Sequence, residues 1–363
     1  MYPALAVAKA WLGSREAGLD RQPLAPGPQI LWLGTRDGLE ADLVARAGLP
    51  FQAIRAAGLH GVGARRLLGN AWALAGGVRD CLRIVRDFRP DVLLVTGGFL
   101  AAPAALAAWL RRVPVMIYLP DLEPGLALQA VGRLATRIAV TAEPARRHFD
   151  PRRVVVTGYP VRPDLTQADR EAARRQLGLD PARPTILVTG GSRGARSLNR
   201  ATLAALPDWL KDYQVVHLSG QLEWPEVEQA AAALPAELRP RYRPFPFLHE
   251  MGLALAAADL AVSRAGASAL GEYPLFGLPA VLVPYPYAWR YQKVNADYLA
   301  ARGAALRLDD EALPARLAAT VRDLLADTAR LEQMRAAARA AAVPGAAQRI
   351  ARELAAVAEG ARA

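Results

Sequence analysis

Residues 189–199 read TGGSRGARSLN. The four residues before the glycines' threonine, Thr185-Ile186-Leu187-Val188, have the composition of a short buried parallel strand. Residues 201–210 carry the apolar spacing of a helix. Strand, glycine turn with a serine, then helix is an order that can build an anion cradle. Gly190, Gly191 and Gly194 have no Cβ, so the backbone there can turn sharply and come close to a ligand. The helix that follows would aim its unpaired N–H groups and positive dipole end at that ligand. Ser192 adds a hydroxyl donor, and Arg193 and Arg196 add positive charge. The spacing is neither that of a P-loop nor a clean G-x-G-x-x-G. Alone, the stretch reads equally well as a diphosphate cradle and as a tight turn without a ligand.

The same alternation extends along the whole chain. Before the turn, strands are expected over 30–34, 51–54, 92–96, 113–118, 137–140 and 154–157. Helices are expected over 4–11, 39–47, 65–88 and 103–110, and from 125. Residues 158–184 are polar and carry Pro160, Pro163, Pro181 and Pro184, which reads as a joint between domains. Strands then recur over 185–188, 214–218, 242–245, 260–263, 280–283 and 304–308. The interleaved helices cover 201–210, 225–233, 250–257, 268–276, 292–302, 313–326 and 331–341, and an amphipathic helix over 346–358 follows Pro344-Gly345. The fold class is α/β, with two Rossmann-like, doubly wound parallel-sheet domains facing a crevice. Ligands of such sheets bind beyond the carboxyl ends of the strands. The expected domains are 1–160, joined by the C-terminal helix 346–363, and 161–345.

The chain has 363 residues, 53% of them hydrophobic, enough for two ordinary globular domains. Cys81 is the only cysteine, which excludes a disulfide framework and a cysteine-built metal site. His60, His148, His217 and His249 are scattered without metal-ligand spacing, so neither a metal nor another cofactor is expected. The net charge of +11 is compatible with an anionic partner: nucleic acid, an acidic membrane surface or a phosphorylated substrate. No nucleic-acid motif is present. Residues 92–110 lack charge, but Gly97-Gly98 and Pro103 interrupt them, so they read as strand, turn and helix rather than a membrane span. No signal peptide is evident, and the chain reads as cytosolic.

The order of motifs adds a resemblance. YPALAVA (2–8), LGTRDGLEADLVARAGLPF (33–51), TGGF (96–99), PGLA (124–127), VVVTGYPVR (154–162), GGSRGARSLN (190–199), PFLHEM (246–251), ADLAVSRAGASALGE (258–272) and GLPAVLVPYP (277–286) follow one another along the chain. In this order they resemble the MurG family of bacterial glycosyltransferases, family 28, over essentially the full length. The resemblance implies the GT-B fold and inverting transfer of N-acetylglucosamine from its UDP conjugate to the 4-hydroxyl of undecaprenyl-diphospho-muramyl-pentapeptide, a step of peptidoglycan and cell-wall synthesis. It also implies residue roles. Ser192 and its turn would hold the UDP phosphates, with Arg162 reaching the nucleotide. Leu248 would offer main-chain groups to uracil, with Met251 packed nearby. Ala267, Ser268, Ala269, Leu270 and Gly271 would form a second turn facing the diphosphate. Glu272 would accept hydrogen bonds from the ribose diol, and Gln292 would bond sugar hydroxyls. The lipid acceptor implies a peripheral place on the cytoplasmic face of the membrane. Arg65, Arg66, Leu67, Leu68, Trp72, Trp109, Arg111 and Arg112 have the character of an interfacial patch.

The sequence departs from the family pattern at its start, at Asp121, at Tyr291-Gln292 where the family has paired glutamines, and at Gly158-Tyr159-Pro160-Val161-Arg162 where it has G-N-P-V-R. Members begin with a strand and a G-G-T-G-G-H loop upstream of the segment matching Tyr2-Pro3-Ala4, and the histidine proposed as base lies there. A start called too late, or a fragment, is therefore expected, the alternative being an inactive copy. Asp121 stands where an asparagine contacts the donor sugar; an ionised carboxylate only accepts hydrogen bonds, and it is in principle a surrogate base. Competing readings are a UDP-sugar 2-epimerase-like isomerase, a non-catalytic UDP-sugar-binding remnant, and a transferase acting on another glycolipid.

Overall fold

Helices and parallel strands alternate through both units of the computed structural model, Met1–Arg162 with Gly345–Ala363 and Pro163–Pro344. The structure describes residues 1–16, 29–35, 40–55, 64–98, 100–163, 165, 168–191, 193–287 and 290–360. The first unit runs α1 (Tyr2–Glu16), β1 (Trp32–Gly34), α2 (Glu40–Arg46), β2 (Phe51–Ala53), α3 (Ala64–Phe88), β3 (Leu93–Val95), α4 (Ala101–Leu110), β4 (Val115–Leu119), α5 (Leu126–Gly132), β5 (Arg137–Val140) and β6 (Val154–Val156). Its strands form a four-stranded parallel sheet, β3-β4-β5-β6, and a separate parallel pair, β1-β2. Among the described residues, β1 is paired only with β2 and β3 only with β4. Leu33 of β1 and Leu93 of β3 nevertheless pack on one apolar cluster with Ile54, Cys81 and Ile84.

The alternation of β4 shows how both faces of this sheet are covered. Val115, Ile117 and Leu119 meet Ala101, Ala105 and Ala108 of α4 and Leu128 and Val131 of α5. Met116 and Tyr118 point the other way, to Ala6, Val7 and Ala10 of α1. The second unit comprises α6 (Arg170–Gln176), β7 (Thr185–Thr189), α7 (Arg196–Asp212), β8 (Gln214–Leu218), α8 (Trp224–Ala233), β9 (Tyr242–Phe245), α9 (Met251–Ala257), β10 (Leu260–Ser263), α10 (Glu272–Phe276), β11 (Ala280–Leu282), α11 (Tyr291–Ala300), β12 (Ala305–Arg307), α12 (Leu313–Ala326) and α13 (Thr328–Ala341). After it, α14 (Ala346–Gly360) returns to the first unit. There Ile350, Ala347 and Ala351 join α1 over β4 and β5, Arg137 pairs with Glu353 at 2.7 Å, and Arg349 donates to the Thr157 carbonyl.

The second sheet is all parallel, in the order β12-β11-β10-β7-β8-β9. Taken from its other end, this is the doubly wound order, with chain direction across the sheet reversing between the neighbours β7 and β10. Its strands are buried on both faces, as parallel strands must be.

Three expectations change. Residues 158–184 are not simply a joint, because they contain α6. That helix is capped by Asp169, whose side chain accepts from the Ala172 N–H. Its buried face includes Arg174, neutralised by Asp259, so hydrophobic spacing alone misses it. Helix α7 starts at Arg196, five residues before the expected position, which brings its first turn directly against the glycine loop. The single helix expected over 268–276 is a 3₁₀ turn, Ala267–Leu270, followed by α10. Pro274 has no N–H to return to the Leu270 carbonyl, so the helical ladder cannot run through.

Helix α14 has one fully buried anchor, Ile350. Ile350→Ala should lower the unfolding free energy of the first unit by about 2–5 kcal/mol, read as a shift in its chemical-denaturation midpoint.

Candidate functional site

The reversal between β7 and β10 opens the carboxyl edge of the second sheet, and most of the candidate residues lie on loops there. After β7, the turn 190–195 leads into α7. Gly191 has φ +81 and open space where a Cβ would point; Gly194 has φ +74, and a Cβ there would land on the Ser219 carbonyl oxygen. Gly194 is thus needed for close packing of the turn on the loop after β8, while Gly191 is the position that faces open space. The Gly194 N–H closes the turn on the Gly191 carbonyl at 3.0 Å. Helix α7 is 17 residues long, so its N-terminus carries a developed positive dipole end. Ser192 lies outside the described residues. Arg193 is exposed, and Arg196 pairs with Glu223 at 3.0 Å, so the charge of Arg196 is spent on a protein carboxylate.

A buried polar chain fixes the turn from below. His217, in β8, is fully buried; its Nε2 lies 3.0 Å from Asn199 Oδ1 and its Nδ1 2.7 Å from the Tyr242 hydroxyl. Asn199 Nδ2 donates to the Ser219 carbonyl at 2.9 Å, so Asn199 Oδ1 is the acceptor. The imidazole therefore carries its proton on Nε2 and accepts from Tyr242 on Nδ1. Burial pushes its pKa down to about 3. This histidine is a structural strut under the Ser219–Gly194 contact.

Above it, Arg264 follows β10 and is nearly buried. Its Nη1 donates to Asp310 Oδ1 at 2.5 Å and its Nη2 to Ser197 Oγ at 2.8 Å, and Ser197 Oγ donates to the same Asp310 oxygen at 2.8 Å. The guanidinium also lies 5.3 Å from the centroid of the Tyr285 ring. Asn295 of α11 donates to the Ala265 carbonyl at 3.1 Å.

The other candidates lie on the neighbouring loops. Leu248, half-buried, lies between β9 and α9, and Met251 is the first residue of α9. Ala267, Ser268, Ala269 and Leu270 form the 3₁₀ turn after β10, Gly271 separates it from α10, and Glu272, half-buried, opens α10. With a four-residue turn and a five-residue helix, this segment offers local N–H groups but no long-helix dipole. Gln292 is in the first turn of α11, its Oε1 accepting from the Tyr285 N–H at 2.9 Å. These residues share the carboxyl edge of one sheet.

Asp121 and Arg162 belong to the first unit. Asp121 follows β4 in a loop anchored from within: Thr141 Oγ1 donates to the Pro120 carbonyl at 2.8 Å and accepts from the Tyr118 hydroxyl at 2.7 Å. The Arg162 guanidinium lies 4.8 Å from the Tyr2 ring centroid. On the same unit, Trp109 and Leu110 are each 52% exposed at the end of α4, beside exposed Arg111 and Arg112, and Leu126 is exposed on the neighbouring α5. The side chains of Arg65, Arg66, Leu67, Leu68 and Trp72, in the first turns of α3, lie outside the described residues. No helix among the described residues is long and apolar enough to cross a membrane, and none of their His, Cys, Asp and Glu side chains gather in threes as metal ligands.

Sequence reasoning missed Arg264, Ser197, Asn199 and Asn295 as site-forming residues, although the first three sit inside motifs it singled out. It had no signal at all for Asp310, whose role exists only through its partners.

Residues 185–350 match the glycosyltransferase family 28 C-terminal domain and residues 21–140 the family 28 N-terminal domain. A curated relative from Roseiflexus sp. (strain RS-1), a UDP-N-acetylglucosamine--N-acetylmuramyl-(pentapeptide) pyrophosphoryl-undecaprenol N-acetylglucosamine transferase, is 39% identical over 97% of this chain and 91% of its own. The crystal structure of Acinetobacter baumannii MurG superposes with a TM-score of 0.71 at 26% identity, covering 98% of this chain and 95% of that one. A UDP-GlcNAc 2-epimerase from Neisseria meningitidis, bound to UDP-GlcNAc, superposes at TM-score 0.67 and 12% identity over 98% of both chains, a likeness of fold alone.

The buried histidine carries a pH signature. In the unfolded chain it takes up a proton near 6.5, but in the folded chain not until about 3. The unfolded state is therefore favoured as pH falls, so the stability is full above about 6.5 and is lost progressively toward 3. Melting temperature should fall across that window, and His217→Gln should flatten the fall.

Proposed function

The chain belongs to glycosyltransferase family 28, and on that premise we propose that it transfers N-acetylglucosamine from UDP-GlcNAc to the lipid-linked muramyl-peptide precursor of peptidoglycan. The observation that carries this reading is the gathering of the glycine turn, the Ala267–Leu270 turn, Glu272 and Gln292 on the carboxyl edge of one doubly wound sheet. The second unit, Pro163–Pro344, is the donor-binding domain, and the first, completed by α14, is the acceptor domain.

The donor is held by groups with different chemistry. The α7 N-terminus and the turn carrying Ser192 receive the diphosphate. Main-chain groups at Leu248 read the uracil edge, with Met251 packed beside it. Glu272 accepts from the ribose diol. Gln292, with Oε1 held by the Tyr285 N–H, donates through Nε2 to a sugar hydroxyl.

The reaction is a single displacement that inverts the anomeric carbon. As the bond to UDP lengthens, charge builds on the diphosphate, and fixed N–H dipoles at the α7 terminus stabilise it. A base must take the acceptor hydroxyl proton. The epimerase reading retains support from fold likeness alone.

The membrane side is supported by the exposed Trp109, Leu110 and Leu126 next to Arg111, Arg112 and the exposed Arg133. Indole and leucine enter the headgroup boundary while the guanidiniums meet anionic lipid. The enzyme works as a peripheral protein on the cytoplasmic face of the membrane.

Glu272→Ala should weaken UDP-GlcNAc binding by about 1–3 kcal/mol, read by calorimetry on the full chain; no change would remove Glu272 from the site. Trp109→Ala should reduce binding to vesicles containing anionic lipid roughly tenfold, since covering half an indole contributes about 1–2 kcal/mol. Equal binding by variant and wild type would move the membrane face elsewhere.

A further inference from the structure

Resting on the donor-site reading, we infer that Arg264 is a positioning residue: its fork with Asp310 and Ser197 sets the relative placement of the two turns that face the donor diphosphate. An arginine at the carboxyl end of a central strand, beside an anion cradle, invites the simpler view that it binds phosphate directly. The hydrogen bonds point elsewhere. Nη1 is engaged by Asp310 at 2.5 Å and Nη2 by Ser197 Oγ at 2.8 Å, and Ser197 Oγ bonds the same carboxylate oxygen. The result is a closed three-membered ring of hydrogen bonds in which both guanidinium ends face protein.

What the ring joins gives it meaning. Ser197 is the second residue of α7, directly after the glycine turn. Arg264 opens the segment that becomes the Ala267–Leu270 turn. Asp310 follows β12, and the Val283 and Pro284 carbonyls, 3.4 and 3.5 Å from Nη1, follow β11. One guanidinium thus ties together the loops after β7, β10, β11 and β12. The Tyr285 ring covers it, and the Tyr285 N–H in turn orients Gln292. Its planar fork can satisfy Asp310 and Ser197 at once in fixed geometry, which a lysine ammonium cannot do. N–H groups aimed at a diphosphate lose effect with small misplacement, so a ring that holds two such turns in register governs how tightly the diphosphate is held.

The two views predict opposite signs for one substitution. Asp310→Asn removes the carboxylate charge that engages Arg264. If Arg264 positions, UDP binding should weaken about tenfold, the scale of a charged hydrogen bond, while uridine, which lacks the phosphates, should bind within about twofold of wild type. If Arg264 is a phosphate ligand, releasing it should leave UDP binding unchanged or tighter, and that result overturns the inference. An equal loss for UDP and uridine also overturns it, because a general loosening of the fold would do the same. Ser197→Ala, a smaller change that keeps the ion pair, should weaken UDP about fivefold with uridine unaffected. It decides the matter by itself if Asp310→Asn does not fold, and unchanged UDP binding then overturns the inference. Both measurements use the full chain and calorimetric titration with UDP and uridine. A wild type that binds neither UDP nor UDP-GlcNAc would overturn the donor-site reading and this inference together, whereas a wild type that binds UDP beside indifferent variants would overturn this inference alone.

Discussion

A parallel sheet has no face it can leave to water, because each strand is apolar on both sides, and most of this structure follows from covering those faces. In the first unit one face of β4 and β5 takes α4 and α5, and the other takes α1 with α14. In the second, Leu198, Leu206 and Trp209 of α7 and Leu317, Val321 and Leu324 of α12 cover Ile186, Val188, Leu260 and Val262. With both faces occupied, only the strand ends remain for chemistry. The carboxyl ends collect the glycine turn and the candidate donor residues because every parallel strand delivers its following loop to the same edge.

The two ends of the β7–β10 pair are finished in complementary ways. At the amino end, Asp259 accepts from Arg174 at 2.6 Å, from Arg335 at 2.7 Å and from the Thr185 N–H at 2.8 Å, and it also pairs with Arg170. Burial works against the charge of Arg174, lowering its pKa, and the Asp259 carboxylate opposes that shift. Such a cluster adds little stability over apolar packing, but removing one partner from it is costly. At the carboxyl end the roles reverse, with one arginine and one aspartate. The amino end is sealed by charge, and the carboxyl end is braced by it. The neutral His217 chain provides the same bracing in the layer below. Among the described buried side-chain polar atoms, Thr202 Oγ1 alone lacks a hydrogen-bond partner.

Much of the fold could be read from the sequence because strand signals are local. The continuous apolar runs at 185–188, 260–263 and 280–283 are strands within one residue at each end. Reading failed where tertiary partners decide. Helix α6 buries an arginine that only Asp259 makes tolerable. The break at Gly271 depends on one missing proline N–H. The loops that carry the candidate donor residues were legible as strand-to-helix motifs. The division of labour inside those motifs was not: Arg196 turned out to serve Glu223, and the inward-facing Arg264 and Ser197 depend on Asp310, more than forty positions further along the chain. Spacing rules see neighbours in sequence, and this ring closes only in space.

Helix α14 also fixes an order of events during synthesis. The Met116, Tyr118 and Ala139 face that it covers is made before residue 140, yet Ile350 arrives only after the whole second unit has been translated. At about 5–20 residues per second the ribosome leaves that face half-covered for roughly ten to forty seconds. The second unit, contiguous from Pro163 to Pro344, can mature during this interval. The domain made first is thus the one finished last, and until then its apolar sheet face stays partly open.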